Sequence, residues 1–333
     1  MGKPIYTFWA LVLVFCSSPV LGQQTTQLQL IEVKKIWDAA PHNAFTDLIR
    51  YKNRWFCVFR EGKEHVSPDG ALRIITSTDG NQWKSAALIT SSEMDLRDAK
   101  ITVTPDNRLM LTGAGALHDK SVNTHQSLAW FSDDGIDWSK KHYIGDHDFW
   151  LWRTTWHNGT AYSMGYGTNQ QKALRLYHSK DGKSFKPLVN DLEITSYPNE
   201  TAIVFSGDTA FCLLRRDGEQ KSGLLGISHP PYTNWNWKNL KTRIGGPQMI
   251  QLPDGRLLAV VRLYGGNNWH PARTSLCWIN PDTGTLEEVL ELPSGGDTSY
   301  AGMYIYDGIL WVSYYSSHEG KTSIYLAKVK MIS

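Results

Sequence analysis

The sequence predicts an all-β fold, a six-bladed β-propeller of four-stranded antiparallel blades, on three observations. The turn Ser77-Thr78-Asp79-Gly80-Asn81-Gln82-Trp83 has the pattern Ser-x-Asp-Gly-x-x-aromatic, which returns at Ser132–Trp138 and Ser179–Phe185. Tight-turn pairs lie between apolar runs at Lys52-Asn53, Asp106-Asn107, Asn158-Gly159, Gly207-Asp208, Asp254-Gly255 and Asp307-Gly308. Their spacing of about fifty residues is a fixed period of the kind that marks repeat architectures. Finally, the β-compatible segment Leu28–Trp37 stands alone before the first repeat, while the last repeat reaches Ser333 one strand short. The first segment is therefore expected to complete the last blade, joining the two ends of the chain.

Each element has a mechanical reason. In the repeated turn, Asp accepts backbone N–H groups, Gly takes the positive φ that other residues resist, and the ring packs between neighbouring sheets. Second strands are expected at Arg54–Arg60, Arg108–Thr112, Ala161–Gly165, Ala210–Arg215, Leu257–Arg262 and Leu310–Tyr315. Third strands follow at Ala71–Ser77, Ser127–Ser132, Ala173–Ser179, Gly223–Ser228, Thr274–Ile279 and Thr322–Val329. In the fourth and fifth units the turn has diverged, to Ser228–Trp235 and Asn280–Gly284.

Composition narrows the function. A net charge of +2 over 333 residues, with no basic block, gives no sign of a nucleic-acid partner. Lys3, the apolar run Phe8–Phe15 and the small-residue site Val20-Leu21-Gly22 read as a signal peptide over residues 1–22. That leaves residues 23–333 as one propeller domain, expected to be secreted or periplasmic, monomeric and without stable membrane insertion. Cys57, Cys212 and Cys277 sit in apolar, strand-like surroundings and read as buried thiols. The run His142–Asp148 lacks metal-ligand spacing, so neither a metal nor another cofactor is expected.

Propeller geometry brings the starts of first strands, the ends of second strands and the loops before third strands to one rim. Those positions carry Arg60, Arg97, Arg215, Arg216, Arg262, Arg273, Glu200, Asp297, Tyr300, Asp69 and His65. So many arginines with few neutralising acids suggest an anionic ligand held bidentately. Single members read equally well as ion pairs that join blades.

The repeated turns, the predicted six blades and this rim resemble the sialidase (neuraminidase) superfamily, with its Asp-box repeats, over essentially the whole mature chain. The resemblance implies a glycosidase in which Tyr300 is the nucleophile, Glu200 its base, and Asp69 the acid/base ahead of the first Asp-box. It implies that Arg215-Arg216 and Arg273 supply the second and third carboxylate-binding arginines. This chain departs from the family where the first arginine would open the first strand: Ala44-Phe45-Thr46-Asp47 stands there, with Arg60 or Arg97 within reach of the same space. Asp69 precedes Gly70 and reads also as a turn residue, with His65 the next candidate acid.

The residue types fit the chemistry. A sialic acid carries a carboxylate beside its anomeric carbon, which would repel an Asp or Glu nucleophile, whereas a phenol is neutral until a base takes its proton. The expected function is exo-hydrolysis of a terminal sialic acid or related acidic sugar from a glycan, with retention. A carbohydrate-binding propeller without turnover, and a glycosidase or lyase acting on another sugar, are the alternatives.

Overall fold

The structure is a computed structural model that describes residues 1–2, 27–170, 172–265 and 271–332. The predicted signal peptide falls outside these, save its first two residues. Every described element is a β-strand. Strand β1 (Gln27–Trp37) comes first. The first sheet is β2 (His42–Tyr51), β3 (Arg54–Gly62), β4 (Ala71–Ser77) and β5 (Lys84–Ile89), and the second is β6 (Met94–Val103), β7 (Leu109–Leu117), β8 (His125–Ser132) and β9 (His142–Ile144). In the third, β10 (Phe149–Leu151) and β11 (Thr155–His157) both pair with β12 (Thr160–Gly167), followed by β13 (Leu174–Ser179) and β14 (Lys186–Val189).

Next come β15 (Pro198–Ser206), β16 (Thr209–Arg216), β17 (Ser222–Ser228) and β18 (Trp235–Gln251). Strand β18 pairs with β17 through Trp235–Arg243 and with β19 (Leu257–Tyr264) through Ile244–Gln251, continuing to β20 (Ala272–Asn280) and β21 (Thr285–Leu292). Two predicted units are thus fused into one seven-stranded sheet, with a local kink at Lys241, whose φ is 56°. The last sheet is β22 (Thr298–Tyr306), β23 (Ile309–Ser316) and β24 (Ser323–Ile332), with β1 added antiparallel to β24, Gln27 opposite Ile332. All six tight-turn pairs lie at hairpins where the sequence placed them.

The sheets bury their faces against one another. Leu72 and Ile74 of the first sheet share a core with Leu96, Leu111 and Leu128 of the second. Met110 and Phe131 of the second share another with Leu151 and Tyr177 of the third. Opening strands pack side by side: β2 against β6 and β22, β15 against β18, and β18 against β22, so the first sheet lies beside the last. This arrangement is consistent with a β-propeller.

The repeated Ser-x-Asp-Gly turns act between sheets. Asp79 Oδ1 accepts from the N–H groups of Asn81 and Gln82 at 2.8 and 3.0 Å, and Asp134 and Asp181 repeat the pattern in their own turns. These backbone bonds hold the exposed Asp79 carboxyl down at about 2. A Cβ on Gly80 would lie 2.5 Å from Trp311 of the last sheet, and one on Gly135 would lie 2.2 Å from Phe56 of the first. Glycine is needed there both for its positive φ and for this close approach. Cys57, Cys212 and Cys277 are buried free thiols.

Candidate functional site

The opening strand of each unit carries one extra residue near its start. Residues 44–47 of β2 oppose only 58–60 of β3, and the same step occurs at Arg97–Lys100, Pro198–Thr201, Gly245–Gln248 and Ser299–Gly302. Between β10 and β11 it becomes a full break around Trp152, Arg153 and Thr154. Such bulges end regular pairing and re-aim side chains, and they are common beside active sites. Phe45, Asp98 and Tyr300 sit in these bulges at φ values of 63°, 53° and 50°. A non-glycine residue there costs about 1–3 kcal/mol, which the surrounding packing must offset.

The bulges gather a compact cluster. The Tyr300 hydroxyl donates to Glu200 Oε1 at 2.5 Å, and Arg215 Nη1 donates to the same Oε1 at 2.7 Å and to the phenol oxygen at 2.9 Å. Glu200 Oε2 accepts from the Gly246 N–H at 2.7 Å. Gly246 is irreplaceable at that point, because its φ is 52° and an added Cβ would stand 2.7 Å from the Tyr300 ring. Arg215 is anchored in turn by Asp217 at 2.8 Å. Arg262 lies with its guanidinium carbon 5.0 Å from the Tyr300 ring centroid and donates to the Thr298 carbonyl and the Tyr315 hydroxyl. Phe45 and Trp152 meet the Tyr300 ring edge-on at 5.0 and 5.7 Å.

Burial, and next the negative charge of Glu200, push the Tyr300 phenol well above its ordinary range, against the pull of Arg215 and Arg262. The resting group is therefore a neutral phenol already hydrogen-bonded to a base. Asp98 joins the same pocket: burial first, with Glu200 adding to it, raises its carboxyl from 3.8 to about 6, and its Oδ1 has no hydrogen-bond partner. Asp98, Glu200 and Tyr300 remain 7%, 6% and 6% exposed, so the cluster reaches solvent.

The other predicted residues fall into separate places. Arg60 is fully buried and fixed by Asp95 and the Glu64 and Ser67 carbonyls, while Arg97 pairs with the same Asp95 at 2.6 Å. Arg97 lines a rim cavity of about 350 Å³ with His118 and Lys120. Arg216 braces its own hairpin through Ser222, because consecutive strand residues point to opposite faces and Arg215 takes the inner one.

Two of the predicted residues make their hydrogen bonds outside the Tyr300 cluster. Arg273 makes a bidentate pair with Glu288 across β20 and β21, at 2.8 and 2.6 Å, on the outer half of its sheet. Arg262, on the neighbouring strand β19, lies against the Tyr300 ring instead. Asp69 is exposed, accepts from the Lys63 N–H, and its carboxyl is lowered by its hydrogen bond to Ser67. A leaving-group acid needs the opposite environment. Asp98 has that environment and takes the first bulge position of β6, as Phe45 does in β2 and Tyr300 in β22; the signal that could have found it is the adjacent charged pair Arg97-Asp98. His65 Nδ1 lies 2.7 Å from Asp297 Oδ2, which His42 Nε2 also approaches at 3.1 Å.

Beside the bulges lies a second polar group. Arg153 pairs with Asp47 at 3.0 Å and donates to the Ala301 carbonyl at 2.7 Å. Lys100, lowered to about 8 by burial and by Arg153, donates to the Thr46 carbonyl. With Gln248, Met249 and Met303 these side chains line a channel of about 470 Å³.

No family model and no curated protein matches the chain. Solved structures share its fold. A protein of unknown function from Dyadobacter fermentans is 17% identical, with a TM-score of 0.80 over 91% of this chain and 99% of that one. An α-L-arabinofuranosidase from Fusarium graminearum, bound to an iminosugar inhibitor, is 12% identical, with a TM-score of 0.70 over 90% and 98%. Trypanosoma rangeli sialidase, as the covalent intermediate with 2,3-difluorosialic acid, is 11% identical, with a TM-score of 0.68 over 90% of this chain and 59% of the sialidase.

Proposed function

We propose that this chain is a six-bladed propeller glycosidase, acting outside the cytoplasm, that removes a terminal acidic sugar from a glycan with retention of configuration. The observation that supports it best is the Tyr300 phenol lying between a carboxylate and a guanidinium, 2.5 Å from Glu200 and 2.9 Å from Arg215. A packing tyrosine needs one partner for its hydroxyl, and this one has a base and a cation together.

In the proposed course, Glu200 takes the phenol proton as the Tyr300 oxygen attacks the anomeric carbon. The glycosidic C–O bond breaks, and Asp98, protonated below about pH 6, gives its proton to the departing oxygen. Asp98, now ionised, then takes a proton from water, which attacks the tyrosyl-linked sugar. The Tyr300 oxygen leaves and recovers its proton from Glu200. Arg215 and Arg262 hold the sugar carboxylate and offset charge at the reacting centre.

The likeness in fold to an α-L-arabinofuranosidase supports a second reading, a glycosidase of a neutral sugar such as an arabinofuranoside. The experiment is a panel of 4-methylumbelliferyl glycosides (α-sialoside, uronides, α-L-arabinofuranoside) with wild type and Tyr300→Phe. Release from an acidic glycoside is expected, with Tyr300→Phe slower by about 10³-fold or more and still folded. Release from the arabinofuranoside alone selects the second reading. Sugar binding without release from any member makes the protein a lectin-like propeller. Full activity in Tyr300→Phe removes the nucleophile assignment.

A further inference from the structure

We propose that His42, His65 and Asp297 form a binding site for a divalent first-row transition metal, Zn²⁺ foremost, at the rim beside Tyr300. This does not depend on the glycosidase reading. One ligand atom from each residue, two imidazole nitrogens and one carboxylate oxygen, lies within 4.8 Å of the others. Both nitrogens converge on a single oxygen, Asp297 Oδ2, at 3.1 and 2.7 Å. In a tetrahedral site with bonds of 2.0–2.2 Å, neighbouring donors stand about 3.3–3.6 Å apart, so an ion would need to draw the two imidazoles off Oδ2 by only roughly 0.2–0.9 Å.

The three residues come from distant parts of the chain. His42 opens β2, His65 lies in the loop after β3, and Asp297 directly precedes β22. Asp297 does not need them for satisfaction: its other oxygen, Oδ1, accepts from the Tyr315 hydroxyl at 2.8 Å and faces Arg262 at 3.4 Å, and its N–H donates to Ser317. Those bonds orient the carboxylate and leave Oδ2 pointing at the imidazoles, as outer partners do for metal ligands. The Phe45 ring lies 6.4 and 5.1 Å from the two imidazole centroids and fixes both, while His65, half exposed, leaves the solvent side open for a further ligand. A set of two imidazoles and one carboxylate suits Zn²⁺, Fe²⁺ or Mn²⁺, whereas Mg²⁺ and Ca²⁺ prefer all-oxygen sites.

The test uses the untagged chain, stripped by chelator dialysis and titrated with Zn²⁺ by calorimetry and with Co²⁺ by visible absorption. One ion per chain and a Co²⁺ ligand-field band are expected. His65→Ala, at a half-exposed side chain, should weaken Zn²⁺ binding by about 10²-fold or more with unchanged circular dichroism. Asp297→Asn should lose the Co²⁺ band. No binding above micromolar affinity in the wild type overturns the proposal and leaves the three residues a hydrogen-bonded group. Binding that survives in both His65→Ala and His42→Ala overturns it equally, because the ion then sits elsewhere.

Discussion

Replacing Asp98 by Asn separates the two costs the site imposes, one on stability and one on chemistry. Burial raises the Asp98 carboxyl from 3.8 to about 6 in the folded chain. Between these values the folded protein binds more protons than the unfolded one, so this group's stabilising contribution is present below about pH 4 and is lost as pH rises through 6. The gap corresponds to at most about 3 kcal/mol, with the opposing attraction to Lys100 already contained in it, so about 1–3 kcal/mol is expected. Asp98→Asn cannot ionise. Urea unfolding of wild type and variant at pH 4 and pH 7.5 should show the variant gaining that amount on the wild type as pH rises. Turnover should move the other way. Wild-type kcat/KM on a substrate with a poor leaving group should decline above about pH 6, and the variant should be about 10²–10⁴-fold slower. A 4-methylumbelliferyl leaving group, needing less protonation, should recover much of that loss. Equal pH dependence of stability in both proteins would refute the buried-charge argument. Unchanged turnover with the poor leaving group would refute the role of the acid.

Two further substitutions test the frame around the site. Arg153→Met leaves the 4%-exposed Asp47 without its ion partner and should destabilise by about 3–5 kcal/mol in chemical denaturation, with part restored by adding Asp47→Asn. A loss under about 1 kcal/mol would mean that this buried pair contributes little. Gly135→Ala combines a φ of 76° with a clash against buried Phe56 and should cost about 2–4 kcal/mol by the same measurement. Gly308→Ala, at a φ of 70° but with open space around it, should cost only about 1–2 kcal/mol. Equal losses at the two glycines would show that the repeated turn does not press on its neighbouring sheet.

Much of the frame is legible in the chain because its signals are local. Asn158-Gly159 and Asp307-Gly308 take positive φ at both positions and turn their hairpins without help from distant residues. Asp79, Asp134 and Asp181 satisfy backbone groups two and three positions onward, so a seven-residue window specifies them. The pairing of β1 with β24 followed from a strand left over at one end and missing at the other. Glu200, Tyr300 and Arg215 were legible too, as residue types at the starts and ends of recognisable strands, although their role remains the proposal above.

Which neighbouring side chain faces inward was decided by tertiary structure. A strand alternates faces with each residue, so the single extra residue in each opening strand changes which side chain meets the centre. The insertion shows locally only as the adjacent charged pair Arg97-Asp98, which does not say which of the two turns inward: the bulge puts Asp98 within electrostatic reach of Glu200 and leaves Arg97 to Asp95. Arg262 and Arg273 lie on adjacent strands and are alike in sequence, but only the second has Glu288 across from it, and that pairing holds it outside. The turns and their count were thus set by short-range backbone chemistry in the sequence. The membership of the site was set by bulges that exist only because opposing sheets pack around a shared centre.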